Sequence, residues 1–340
     1  MITRSALEPD LVMLDLDGVV YHGSRAVVGA VPALRDFARR GLPYAFLTNN
    51  ASRSPETVAE QIAEYGVPVH PAQVRTSAQA VAQALAQRLP VGDPVAVFGA
   101  PALAEAVDRA GLRAVQPEDL PSEARLLEQP PAAIAMGYSA QLRAGDLRAA
   151  ISCVRAGAGF WATNPDPSVP GEHGVYPGNG TFVDIVERFT GVPARIAGKP
   201  APVLPQQVIS EYRAVRPVMV GDRCSTDIAA GRAAGCLSVL VLTGIDDVHA
   251  ALQAPAEQQP DRIVADLRDL LRPLPAVEVS GDAAACGSSS ARLVAGRIEA
   301  LGPAEGAVQA ALALSRARGG LPLDPGNLPR RFTGEELHDE

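Results

Sequence analysis

Two aspartates two positions apart, Asp15 and Asp17, close an apolar run in the segment LVMLDLDGVV. Carboxylates at that spacing beside a glycine turn can divide the labour, one attacking or holding a metal and the other moving a proton. Taken alone, the pair also fits a polar strand-to-loop corner. A second apolar run ends in Thr48, Asn49 and Asn50, just ahead of a helix start. A hydroxyl, amide groups and the N–H groups of a helix start can cradle phosphate, or simply form a capped turn.

Lys199 lies in ARIAGKPAP between a glycine and a proline, so it leaves an extended loop rather than a helix face. Such a lysine can neutralise a phosphoryl oxygen and an aspartate together, although most lysines are solvated surface charges. In PVMVGDRCSTDIAAGRAAG, Asp222 follows a strand end, and Asp227 comes five positions later in the next helix's first turn. Hard oxygen donors of this kind suit magnesium. An acid in a first turn also stabilises the helix dipole without any metal.

The elements that must carry these residues follow from hydrophobic period. Short apolar runs alternate with Ala-rich segments of helical spacing, the pattern of a parallel α/β sheet. Strands are expected at Leu11 to Leu14, Tyr44 to Leu47, Val95 to Phe98, Ala132 to Met136, Pro217 to Val220 and Ser238 to Leu242. Ser54, Pro55 and Glu56 predict a helix start, with the helix reaching about Tyr65 before Gly66. Ser225 or Thr226 is expected to cap another helix, closed by Gly235. Both helices begin just after strand ends, where open α/β sheets place ligands.

At 340 residues the chain exceeds one ordinary hydrophobic core. Pro90, Gly92 and Pro94 punctuate one junction, and Gly191, Pro193, Gly198 and Pro200 another. These junctions predict a domain at 91–192 inserted into a core made of 1–90 and 193–273. Residues 274–340 form an extension with short strands and an Ala-rich helix around Glu305 to Arg318. Its end, from Gly319, has few apolar residues and is expected to be loose.

Hydrophobic residues at 47% and charged residues at 20% fit a folded chain. A net charge of −8 without a basic run argues against a nucleic-acid or membrane-surface binder. No segment approaches the roughly 18 apolar residues of a membrane span, and a cytoplasmic location is expected. Cys153, Cys224, Cys236 and Cys286 show neither CxxC nor zinc-like spacing and read as ordinary thiols. P-loop, HExxH and GxSxG signatures are absent.

In this order, DLDGV, TNN, GKP and GDRxxTD resemble the haloacid dehalogenase (HAD) superfamily of phosphatases, from about Leu11 to Leu271. The step from Asp15 to Thr48 is too short for a cap domain, whereas the step from Thr48 to Lys199 has room for one. That placement resembles the nitrophenyl-phosphatase-like group with a C2-type cap, which includes pyridoxal phosphate, phosphoglycolate and glycerol 3-phosphate phosphatases. The resemblance implies an α/β fold: a Rossmann-like HAD core with a parallel sheet, an inserted α/β C2 cap, and a small α/β extension that is in part GNAT-like. The whole arrangement is most similar to actinobacterial glycerol 3-phosphate phosphatases.

By resemblance, Asp15 is the nucleophile and Asp17 the acid and base. Magnesium is held by Asp15, the Asp17 backbone carbonyl and Asp222, with Asp227 ligating or acting through water. Thr48, Asn49 and Asn50 hold phosphoryl oxygens, and Lys199 supplies counter-charge. Within WATNPDPSVPGEHGVYPGNGT, Asn164 and Asp166 either bind substrate hydroxyls or brace the loop, and His173 is a solvent-facing loop residue. The implied partner is a small phosphorylated metabolite rather than nucleic acid or membrane, and a homodimer through the cap is part of the family pattern. Phosphoglycolate, pyridoxal phosphate or a nucleotide stays open as the substrate. A phosphate-ligand sensor without turnover is the reading from a different class, and it needs neither nucleophile nor acid.

Overall fold

The computed structural model describes residues 8–171 and 174–333, and His173 lies outside them. The chain divides into two compact units, Met1–Phe46 with Gln61–Val69 and Val208–Glu340, and Leu47–Glu60 with His70–Gln207. Among the described residues no helix is long and apolar enough to cross a membrane.

In the first unit, parallel strands Arg262–Val264, Leu237–Val241, Pro217–Gly221, Leu11–Leu14 and Tyr44–Thr48 lie side by side in that order, the last running on into the second unit after Phe46. All four residues of the LVML strand are buried, because a central parallel strand has both faces covered. Leu14 is in register with Val220 on one side and with Phe46 on the other. Residues 15 and 221 therefore sit level at one edge of the sheet, and this brings the first and fourth motifs together.

The extension adds an antiparallel meander, Val277–Ser280, Ala283–Cys286, Ser289–Val294 and Arg297–Leu301, followed by helix Ala304–Ala317. Its Ala284, Ala291, Ile298, Val308 and Leu312 share one apolar cluster with Ile228, Leu240, Leu252 and Ile263 of the parallel-sheet region. Glu305 lies buried beside Arg262 and Arg272, 3.4 Å from each. Burial raises the Glu305 carboxyl above its usual range, while Arg262 and Arg272 pull it back down. Losing either member of the buried Arg262–Glu305 pair costs about 3–5 kcal/mol, since the other charge is left uncompensated.

The loose end expected from Gly319 onward is corrected for residues 319–333. Leu323, Leu328 and Phe332 are all buried in the same cluster. Few apolar residues suffice when three of them reach the core, although Leu321 stays exposed.

The second unit has its own parallel sheet, ordered Arg195–Ile196, Gly159–Ala162, Ala133–Met136, Pro94–Phe98 and Arg113–Val115. Its core joins Phe98, Ile134, Met136 and Phe160 to Cys153, Val183 and Val186 of the flanking helices. Met136 is in register with both Phe98 and Ala162, so the loop that begins at Thr163 leaves level with its neighbours. The α/β class and parallel sheets agree with expectation, and each expected strand lies within one residue of its observed ends. The short strands at 113–115, 159–162, 195–196 and 262–264 were not anticipated; each is too short or too interrupted to show a period.

Candidate active site

In the first unit, Asp15, Asp222 and Asp227 converge with carboxylate oxygens all within 4.8 Å of one another, and all three residues are buried. Asp15 extends the Leu11–Leu14 strand, its N–H donating to the Val220 carbonyl at 2.9 Å. Asp222 follows Gly221 on the adjacent strand and accepts the Ile245 N–H at 2.8 Å. Asp227 accepts the Arg223 N–H at 3.1 Å.

The expected cap by Ser225 or Thr226 is corrected here. Cys224–Ile228 is a wide π-type turn that leads into helix Ala229–Ala233. Its first N–H groups are covered by carboxylates instead, with Asp227 on Arg223 and Asp246 on Cys224 at 2.6 Å. The carboxylate that must reach the centre thus also closes its own turn. Gly221 makes this approach feasible, for a Cβ there would lie 2.0 Å from the Asp227 Cβ.

Asp17 is exposed, at the corner where Gly18 adopts φ +83° and its N–H donates to the Tyr21 carbonyl at 2.9 Å. Among the described residues its carboxylate is not part of the convergent group. The two carboxylates of the DxD pair thus occupy different environments, one buried among acids and one facing solvent.

Three buried carboxylates repel one another when ionised. At an effective dielectric of about 20, each pair within this spacing costs upward of about 3 kcal/mol. The cluster is all oxygen, with no histidine or cysteine in it. This donor set fits a hard divalent cation, which relieves the repulsion and prefers oxygen ligands.

The second unit assembles the remaining residues around Asn49. The Asn49 side chain accepts the Lys199 N–H at 2.9 Å and donates to the Lys199 carbonyl at 3.0 Å, pairing with that backbone as a strand would. It also donates to Asp166 at 3.2 Å. The Asn49 carbonyl accepts the Ser77 hydroxyl at 2.7 Å and the Asn164 amide at 2.8 Å. Asn164 in turn accepts the Asp166 N–H at 3.1 Å. Asn49, Asn164 and Asp166 are therefore engaged in bracing one another and the lysine loop.

Lys199 is only 2% exposed, and its ammonium donates to the Leu47 carbonyl at 3.1 Å. Gly198 permits this placement, because a Cβ there would meet the Thr163 carbonyl at 2.2 Å. Thr48 is buried, and its hydroxyl oxygen accepts the Asn50 N–H at 3.0 Å, which leaves the hydroxyl proton to donate elsewhere. Asn50 is exposed, and its side chain accepts from Ser52.

Ser77 and Asp246 were missed by sequence reasoning, and Asn179 falls within the WATNPDPSVPGEHGVYPGNGT stretch without a role of its own. Ser77 and Asn179 support the Asn49 network, the latter donating to the Asn164 carbonyl at 2.8 Å, and Asp246 covers the start of the π turn. The Thr76–Gln79 capping box marked the helix start at Ser77; nothing local marked Asp246.

A parallel α/β sheet that delivers two acids from adjacent strand ends, with a third from the following turn, is the arrangement expected of a HAD-type fold. Residues 12–113 match the haloacid dehalogenase-like hydrolase family and residues 196–270 a related HAD hydrolase-like family. The chain belongs to this family and is a phosphatase. It is 40% identical over 267 residues to the D-glycerol 3-phosphate phosphatase of Mycobacterium tuberculosis, covering 78% of this chain and 72% of the relative. It is 32% identical over 239 residues to the acid sugar phosphatase of Staphylococcus aureus, covering 70% and 88%. The crystal structure of glycerol phosphate phosphatase from Mycobacterium tuberculosis in complex with magnesium superposes with TM-score 0.80 at 34% identity, covering 95% of this chain and 94% of that one.

Proposed function

We propose that the chain hydrolyses glycerol 3-phosphate, or a similarly small polyol phosphate, with magnesium and through an aspartyl-phosphate intermediate. The convergence of Asp15, Asp222 and Asp227 carries this reading: a buried triad of acids needs a cation, and one of its members begins the DxD pair. Asp15, Asp222 and Asp227 would hold magnesium, together with the Asp17 carbonyl. Bound there, the ion offsets charge on the carboxylates and on the phosphoryl oxygens.

An Asp15 carboxylate oxygen attacks phosphorus in line, forming the Asp15 O–P bond as the bond to the ester oxygen breaks. Asp17, protonated, gives its proton to that oxygen, and the alcohol leaves. Asp17, now a carboxylate, takes a proton from water as the water oxygen attacks phosphorus. The Asp15 O–P bond breaks, phosphate departs, and both aspartates return to their starting states. The exposure of Asp17 suits a group that must meet both an alcohol and a water. Thr48 donates its hydroxyl to a phosphoryl oxygen, and Lys199 offsets the charge shared by the phosphoryl group and Asp15. Asn49 sets the lysine loop, and residues 91–192 act as the cap that selects the leaving group.

The substrate assignment draws on the 40% identical relative, and the acid sugar phosphatase likeness makes sugar phosphates the closest rivals. Phosphate release over a panel of phosphorylated metabolites, ranked by kcat/KM with magnesium present, tests it. Glycerol 3-phosphate should rank at or near the top. A rank near the bottom, with a sugar phosphate, phosphoglycolate or a nucleotide leading, overturns the choice.

A further inference from the structure

The loop after strand Leu237–Val241 lies against the acid cluster on one side and is held by the chain's last described residues on the other. On the inner side, Thr243 donates its hydroxyl to the Gly18 carbonyl at 2.6 Å. The Ile245 N–H donates to the Asp222 carboxylate at 2.8 Å, and the Asp246 N–H to the Asp222 carbonyl at 3.0 Å. There is no slack in this packing. A Cβ on Gly244 would lie 2.0 Å from an Asp222 carboxylate oxygen, and one on Gly18 would lie 2.4 Å from the same oxygen and 3.1 Å from the Gly244 Cα. Residues 243–245 therefore pack directly on the Asp222 carboxylate and the Asp17–Gly18 corner and are hydrogen-bonded to both.

On the outer side, the Arg331 guanidinium donates to three carbonyls of this loop, those of Leu242, Gly244 at 2.8 Å and Ile245 at 3.2 Å. A planar fork with several donors can fix three carbonyls at once, which a lysine cannot. Phe332, buried beside it, anchors the tail in the core. The neighbouring Arg330 does something else, pairing with Asp247 at 2.7 Å at the start of helix Val248–Gln253.

We infer that Arg331 is a positioning residue for the metal centre, acting through residues 242–245 to fix the Asp222 carboxylate. The C-terminal extension thereby completes the cation site of a domain that begins some 320 residues earlier in the chain. This rests on the proposed magnesium site, and it assigns the extension a role in that site. Outer partners that orient metal ligands typically change affinity by about 10–100-fold when removed.

The test compares Arg331→Met, Arg331→Lys and Arg330→Met in the full chain. Direct titration with Mn2+ and Mg2+ alone, by calorimetry or Mn2+ spin resonance, is read beside thermal melting and the Mg2+ dependence of kcat. Arg331→Met should weaken cation binding about tenfold and raise the Mg2+ concentration for half-maximal rate in parallel. KM at saturating Mg2+ should be little changed, and Arg331→Lys should recover the loss only in part. Arg330→Met should lower the melting temperature without altering cation affinity. Equal cation affinity in wild type and Arg331→Met overturns the inference, as does an equal loss of affinity in Arg330→Met. Wild type that binds neither cation overturns the magnesium reading itself, a distinct result.

Discussion

The acid cluster of the first unit and the Asn49 network of the second hold their functional groups by opposite means. In the first, the functional carboxylates themselves take the hydrogen bonds, Asp222 from Ile245 and Asp227 from Arg223. Like charges are gathered there at the expense of stability. In the second, the neutral amide of Asn49 grips the backbone of Lys199, and the charged end is left to be aimed by the Leu47 carbonyl. Stability and function therefore pull apart in one region and run together in the other. Removing a charge from the cluster should cost activity and gain stability, while removing an amide from the network should cost both.

The largest effect expected is that of Asp15→Asn. Phosphate release should fall by about 10⁴-fold or more, in the range seen when a covalent nucleophile is lost. Without magnesium, the same variant should be more stable than wild type, measured by urea unfolding, because two of the three repulsive pairs are gone. Next comes Lys199→Met, whose steady-state kcat should fall about 10²–10³-fold from lost charge stabilisation. Asn49→Ala comes third. It should lower stability by about 1–3 kcal/mol and kcat by about tenfold, as the Lys199 N–H and carbonyl lose their buried partners. An Asn49→Ala protein as stable as wild type would erase the contrast between the two regions.

The last effect is a pH dependence of stability. Burial raises the Cys153 thiol from its ordinary 9.0 to about 11 and the Cys236 thiol to about 12. Above pH 9 the unfolded chain releases these protons while the native chain keeps them, so stability must fall as pH rises from 9 toward 11 and 12. Urea midpoints measured across that window should decline less steeply in Cys236→Ala. Below pH 9 the contribution is fully present and flat. All four cysteines are free and buried, so native protein at pH 8 should resist thiol reagents until it is unfolded.

Much of the site is legible in the sequence. Apolar runs ending at Asp15, Thr48 and Asp222 marked strand ends, and a parallel sheet puts strand ends on one edge. That physical rule brings Asp15 and Asp222 together although 207 positions separate them. The supporting layer was not legible. Asp246 and Arg331 lie in stretches without period, and each acts through hydrogen bonds to backbone distant in sequence, where no spacing rule reaches. The start of the helical segment at Cys224 was misjudged because local capping rules favour Ser and Thr, whereas carboxylates from Asp227 and the distant Asp246 took that role. The tail was misjudged because apolar count, not placement, governs a compositional reading. Leu323, Leu328 and Phe332 are few, yet all are buried.

Covalent trapping during turnover tests the central claim most directly. Glycerol 3-phosphate turnover with magnesium is quenched in acid, and peptides are mapped by mass spectrometry before and after hydroxylamine. The account predicts a hydroxylamine-labile phosphoryl group on the Asp15 peptide in wild type and none in Asp15→Asn. Steady phosphate release with no phosphorylated Asp15 peptide, or undiminished release by Asp15→Asn, would contradict it.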